Sequence, residues 1–92
     1  MSDFLTQSQL REWLQALGDA PCGAFLECPL ERCAKELMPS IHGVGSRTYL
    51  YDDKSANLPP WAAEYVVRID AEPEPWSELK ASRALELLDV QP

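Results

Sequence analysis

The chain has 92 residues, 46% of them apolar and 25% charged, and a formal net charge of −7 at neutral pH. That length suits a single domain, 1–92, and the composition is that of a globular rather than a disordered protein. Its eight Lys and Arg are set singly along the chain, which leaves no basic surface for nucleic acid or an anionic membrane, and no run approaches the ~20 apolar residues of a membrane span.

The first residues lack the basic and apolar regions of a signal peptide, so a cytoplasmic location is expected. There the three cysteines are expected to be reduced, and their odd number argues against a complete disulfide framework. Thr6-Gln7-Ser8-Gln9 has the pattern of a capping box, with Leu5 and Leu10 at the hydrophobic-staple positions. Leu10, Trp13, Leu14 and Leu17 form the apolar face of a helix over residues 7–17, and Gly18 stops it. Residues 19–23 read as a turn, and Ala24, Phe25 and Leu26 as a small strand or a buried connector.

Cys28-Pro29-Leu30 starts a second helix, with Cys28 at the N-cap and Pro29 at the first helical position. Leu30, Cys33, Ala34 and Leu37 make its apolar stripe. Glu31 with Lys35, and Arg32 with Glu36, sit four apart on the solvated side, and Pro39 ends the helix. Residues 41–45, punctuated by Gly43 and Gly45, read as a loop leading into a strand over 47–51. In that strand Arg47, Tyr49 and Tyr51 share one face, and Thr48 and Leu50 the other. Residues 52–57 read as a polar turn. A lone strand leaves its backbone unpaired, so 47–51 needs the region 24–27, an unrecognised strand or a second copy of the chain.

Leu58-Pro59-Pro60-Trp61 opens a third helix, with Pro59 as cap and Ala62, Tyr65, Val66 and Ile69 as its buried face. Residues 65–69 would also pass as a strand; the Pro-Pro start favours the helix. Glu72-Pro73-Glu74-Pro75 is a stiff acidic linker before a last helical segment that begins near Trp76. The apolar phase of that segment changes midway, from Trp76 and Leu79 to Ala81, Ala84, Leu85 and Leu88. Either Ser82 caps a separate short helix or one helix touches two surfaces. The expected fold is α+β, mostly α: a small single domain of three or four short helices with a minimal two-stranded β element.

Cys22, Cys28, Cys33 and His42 have the ligand types of a Cys3His zinc site. Their gaps of five, four and eight residues contain no CxxC, and Cys33 also fits the apolar stripe of its helix. Cys28 at a helix N-terminus, with His42 as base, has the ingredients of a thiol nucleophile. Asp52 and Asp53 read as solvated turn residues, and Gly43 and Gly45 lack the rest of a phosphate-binding loop. Trp76, Leu85 and Leu88 are the expected interaction residues, because an apolar tail face left uncovered by so small a domain would recruit a partner.

Several motifs resemble a pattern found in small uncharacterised proteins of bacteria and their phages. They are the Cys28-Pro29-Leu30 helix start, Val44-Gly45 before the aromatic strand Tyr49-Leu50-Tyr51, and Leu58-Pro59-x-Trp61 ahead of Tyr65-Val66 and Ile69-Asp70. The pattern spans about the central half of the chain, and Cys33 stands where it usually has an aromatic residue. The resemblance implies a phage-related or mobile-element origin and carries no activity with it.

The expected function is therefore that of a small acidic, non-enzymatic protein-interaction or regulatory module without a cofactor. Its partner is a protein or a second copy of the chain, and an acidic mimic of nucleic acid is one concrete form. The alternatives are a Cys3His zinc-stabilised module and a thiol enzyme using Cys28 and His42.

Overall fold

A computed structural model describes residues 4–23 and 27–89, and its first three helices begin at the caps written in the sequence. In helix α1, Gln7–Leu17, the Thr6 N–H donates to Gln9 Oε1 at 2.7 Å and the Gln9 N–H donates to Thr6 Oγ1 at 3.2 Å. Two otherwise orphaned donors are satisfied in this reciprocal way. Gly18 then turns out of the helix at φ 61°. Helix α2, Pro29–Leu37, starts from an extended Cys28 whose sulfur accepts from the Glu31 N–H at 3.4 Å. Helix α3, Pro60–Asp70, starts at Pro59 as expected, and Ala62, Tyr65, Val66 and Ile69 are all buried. Residues 65–69 are thus helix, not strand. Helix α4 is Ala81–Leu88.

The sheet is larger than the sequence suggested. Strands β1 (Ile41–Val44), β2 (Thr48–Tyr51) and β3 (Lys54–Asn57) form an antiparallel meander, β1-β2-β3, where a two-stranded element was expected. Residues 41–45 hold a strand rather than a loop, and residues 52–57 hold a tight turn plus a strand. The central strand finds its partners in these two unrecognised neighbours, while Ala24, Phe25 and Leu26 lie outside the described residues. Both misreadings have local causes. β1 contains Gly43 and a register shift between Ile41 and Gly43, which breaks its alternation at His42. β3 is Lys-Ser-Ala-Asn, poor in strand formers, and is held by pairing with β2 rather than by propensity. The turn between them, Asp52-Asp53, places Asp52 at φ 50°, the left-handed region that a two-residue hairpin needs at its first position.

The core lies between the sheet and the helices. Tyr49 faces inward against Phe4, ring centroids 4.7 Å apart, and Phe4 also meets Trp61 at 6.4 Å. Helix α1 packs on α4, α2 packs on β1, and α3 packs on α4. Tyr65 is fully buried, and its hydroxyl donates to the Ala84 carbonyl at 3.0 Å, joining α3 to α4. The chain entering α4 is also stitched to the segment after α1. The Cys22 N–H donates to the Leu79 carbonyl at 3.0 Å, and the Ala81 N–H donates to the Ala20 carbonyl at 2.8 Å.

This stitch explains the change of phase in the tail. Residues 76–78 form a turn, and the helix starts at Ala81 with Lys80, not Ser82, at the cap. Leu79 is buried in the stitch, while Ala81, Ala84, Leu87 and Leu88 are buried along α4. The two apolar phases belong to two elements, and both face the chain's own core. Two smaller expectations also change. Leu37 ends the α2 stripe 43% exposed. Glu36 accepts from the Trp13 indole N–H at 2.9 Å, while Arg32 lies over the Trp13 ring and donates to the Gly23 carbonyl.

Two stability measurements follow from this packing. Thr6→Ala removes the box and should cost about 0.5–2 kcal/mol, while Leu14→Ala opens a cavity and should cost about 2–5 kcal/mol; equal, negligible changes in denaturant melts would contradict the packing of α1. Asp52→Gly relieves the left-handed backbone and should raise stability by up to about 1 kcal/mol. A loss of stability in Asp52→Gly would mean that the Asp52 side chain contributes more than its backbone strain costs.

Candidate functional site

Three thiols and one imidazole are the reactive groups the sequence singles out, and the fold buries the thiols and exposes the imidazole. Cys22, Cys28 and Cys33 are free and buried, whereas His42 is exposed on β1 at the register shift. The Cys22 thiol donates to the Leu79 carbonyl at 3.5 Å, the Cys28 sulfur caps α2, and Cys33 is wholly enclosed in the helix stripe. No group of three or more His, Cys, Asp and Glu side chains among the described residues is arranged to hold a metal ion. Nor does any hydrogen bond among them join Cys28 to His42.

Burial decides the protonation of the thiols. It pushes Cys22 and Cys28 up to about 11 and Cys33 up to about 12, from an ordinary value of 9.0. At Cys28 the hydrogen bond from Glu31 N–H acts in the other direction, as a helix N-terminus should, but desolvation is larger. Nothing in this arrangement activates a thiol at neutral pH.

The three expected interaction residues separate as well. Leu88 is buried on α4, and Leu85 is partly buried against the same core. These positions are explained by packing within the chain. Trp76 differs: it is half-buried, and with Ile69, Asp70 and residues 72–75 it lines an open groove of about 460 Å³.

The groove is built by a short strap between α3 and α4. Pro73 and Pro75 stiffen it. The Pro75 carbonyl accepts from the Glu78 and Leu79 N–H groups at 2.9 and 3.1 Å, which turns the chain back toward the core. Gly23 lets the strap approach closely, since a Cβ there would lie 2.5 Å from the Trp76 carbonyl oxygen and 2.9 Å from the Trp76 Cβ. Arg83 grips Glu72 through Nε at 2.8 Å and Nη2 at 3.2 Å. That hydrogen-bonded pairing holds the Glu72 carboxyl below the usual carboxylate range and raises Arg83.

Between residues 69 and 78 the chain has four carboxylates and no Lys or Arg. Asp70 and Glu74, both at the groove, have no ion-pair partner among the described residues. The result is an open, negatively charged hollow whose lining mixes Ile69, Pro73, Pro75 and Trp76 with Asp70, Glu72 and Glu74. Sequence reading took residues 72–75 for a linker and missed Gly23, although a Glu-Pro repeat running into a Trp is a legible signal of a stiff acidic surface.

Two smaller hollows lie elsewhere among the described residues. One, of about 350 Å³, is lined by Gln9, Glu12, Trp13 and Leu37, and the Trp13 indole N–H in it is already occupied by Glu36. The other, of about 340 Å³, collects His42, Leu50 and residues 52–55 on the outer side of the sheet. No family model, curated protein or solved structure matches the chain, so its chemistry rests on these residues alone.

The thiol environment makes a direct prediction. A group whose folded pKa lies above its unfolded value contributes stability that is fully present below the unfolded pKa and is lost as pH rises through the folded one. Between about pH 9 and pH 12 the three thiols should therefore destabilise the fold progressively. Ultraviolet thiolate absorbance of the native protein should stay near baseline through pH 9, and thiol-specific labelling at pH 7.5 should be slow at all three positions. Rapid labelling of Cys28 at that pH would contradict its burial.

Proposed function

We propose that the chain is a non-enzymatic protein-interaction module that recognises a partner with a basic surface. The observation that supports this most is the strap groove: an open hollow beside Trp76 whose Asp70 and Glu74 carboxylates form no ion pair among the described residues. Favourable docking there needs positive charge from outside, and the net charge of −7 steers a basic partner toward the molecule as a whole. The buried, protonated thiols favour a structural role for the chain's only strong nucleophiles. A nucleic-acid-binding protein is a fitting partner class, because its basic surface matches this charge; phage or mobile-element origin is the setting that the sequence resemblance suggests.

The test uses a purified partner, first recovered from source cells and then made separately. It should bind the full chain with one stoichiometry and an affinity that falls steeply between 50 and 300 mM salt, about tenfold or more for several screened charge pairs. Binding indifferent to salt, or no partner retained beyond what an unfolded chain of equal charge retains, would contradict the proposal.

A further inference from the structure

Resting on that reading of the chain as an interaction module, we infer that the strap groove is the docking site for an extended basic segment of the partner, with a Lys or Arg head set between Trp76, Asp70 and Glu74.

The occupant follows from what the groove offers. Its lining includes the apolar residues Ile69, Pro73, Pro75 and Trp76 beside the carboxylates. Long basic side chains bury their methylene stems on such surfaces while the charged head reaches a polar rim. The indole face attracts a cation, and more strongly as water is excluded. The Asp70 and Glu74 carboxylates supply the countercharge, because Glu72 is already held by Arg83 in a two-point contact. An acidic or purely apolar segment would leave these carboxylates desolvated and unpaired, which is unfavourable. A second copy of the chain is disfavoured too, since it brings another −7 and its own acidic strap.

Preorganisation supports the same occupant. Two prolines, the close Gly23–Trp76 approach and the Glu72–Arg83 pair fix the strap before anything binds, so little ordering is needed on docking. The groove suits a few residues of extended chain rather than a folded domain face, given its volume of about 460 Å³.

The experiment is an NMR titration of the full, isotope-labelled chain with a defined probe, the pentapeptide acetyl-Lys-Leu-Lys-Leu-Lys-amide, and with its Glu-Leu counterpart as control. The Lys peptide should shift the Trp76 indole N–H and the amides of residues 69–76, and the Glu peptide should shift neither. Asp70→Asn combined with Glu74→Gln should weaken the Lys peptide about fivefold to tenfold while leaving the amide spectrum of the core unchanged. Trp76→Phe should weaken it by a smaller factor, because the indole is the stronger cation acceptor. Shifts spread evenly over Glu12, Asp52, Asp53 and the strap, or unchanged affinity in the double variant, would overturn the assignment. If the purified partner binds the double variant as tightly as the original chain, the groove is not its site while the interaction reading survives. If the peptide binds the groove and no partner protein binds the chain, the interaction reading fails while the groove remains a cation site.

Discussion

The structure depends on a short backbone stitch between distant parts of the chain. Residues 20–22 and 79–81 exchange hydrogen bonds in an antiparallel bridge, with Cys22 donating to Leu79 and Ala81 donating to Ala20. Everything after α3 takes its place from that contact. It buries Leu79, aims α4 along α1 and α3, and brings the Tyr65 hydroxyl to the Ala84 carbonyl. Because a buried backbone group without a partner is costly, the bridge also fixes where the tail helix can start. The 69–76 strap is the span between that fixed point and the end of α3. Its curvature, and so the groove, is a consequence of closing the fold.

Much of this was legible in local chemistry. The capping box at Thr6, Pro29 after Cys28 and Pro60 after Pro59 each name a helix start, and all three helices begin there. The apolar face of α3 could be read residue by residue from its period. What escaped was set by partners remote in sequence. Lys54-Ser55-Ala56-Asn57 is a strand only because Tyr49 and Tyr51 lie alongside it, and a polar four-residue edge has no period of its own. The His42 irregularity hid β1 by shifting its alternation. The phase change in the tail was real, but it marked a break between a turn and a helix rather than an uncovered face. Leu85 and Leu88 looked outward only because the stitch to residues 20–22 cannot be seen in sequence.

The candidate chemistry divides along the same line. Residue type alone suggested Cys22, Cys28, Cys33 and His42 as ligands or nucleophile and base. Type says nothing of burial, and burial keeps the thiols protonated while His42 stands on an exposed strand. Trp76 was named with Leu85 and Leu88 as part of an apolar tail, and its acidic neighbours Asp70 and Glu74 acquire meaning only once the strap is bent around it. The free charge on the rim matters because Arg83 is already occupied by Glu72.

Native-state hydrogen exchange at the stitch tests the central claim most directly. If residues 20–22 and 79–81 close the fold, the amides of Cys22 and Ala81 should exchange only through global unfolding, with the same free energy and denaturant dependence as the Leu14 amide in α1. Exchange of Cys22 and Ala81 at much lower free energy, with α1 still protected, would show that the tail opens on its own and that the stitch does not hold the structure together.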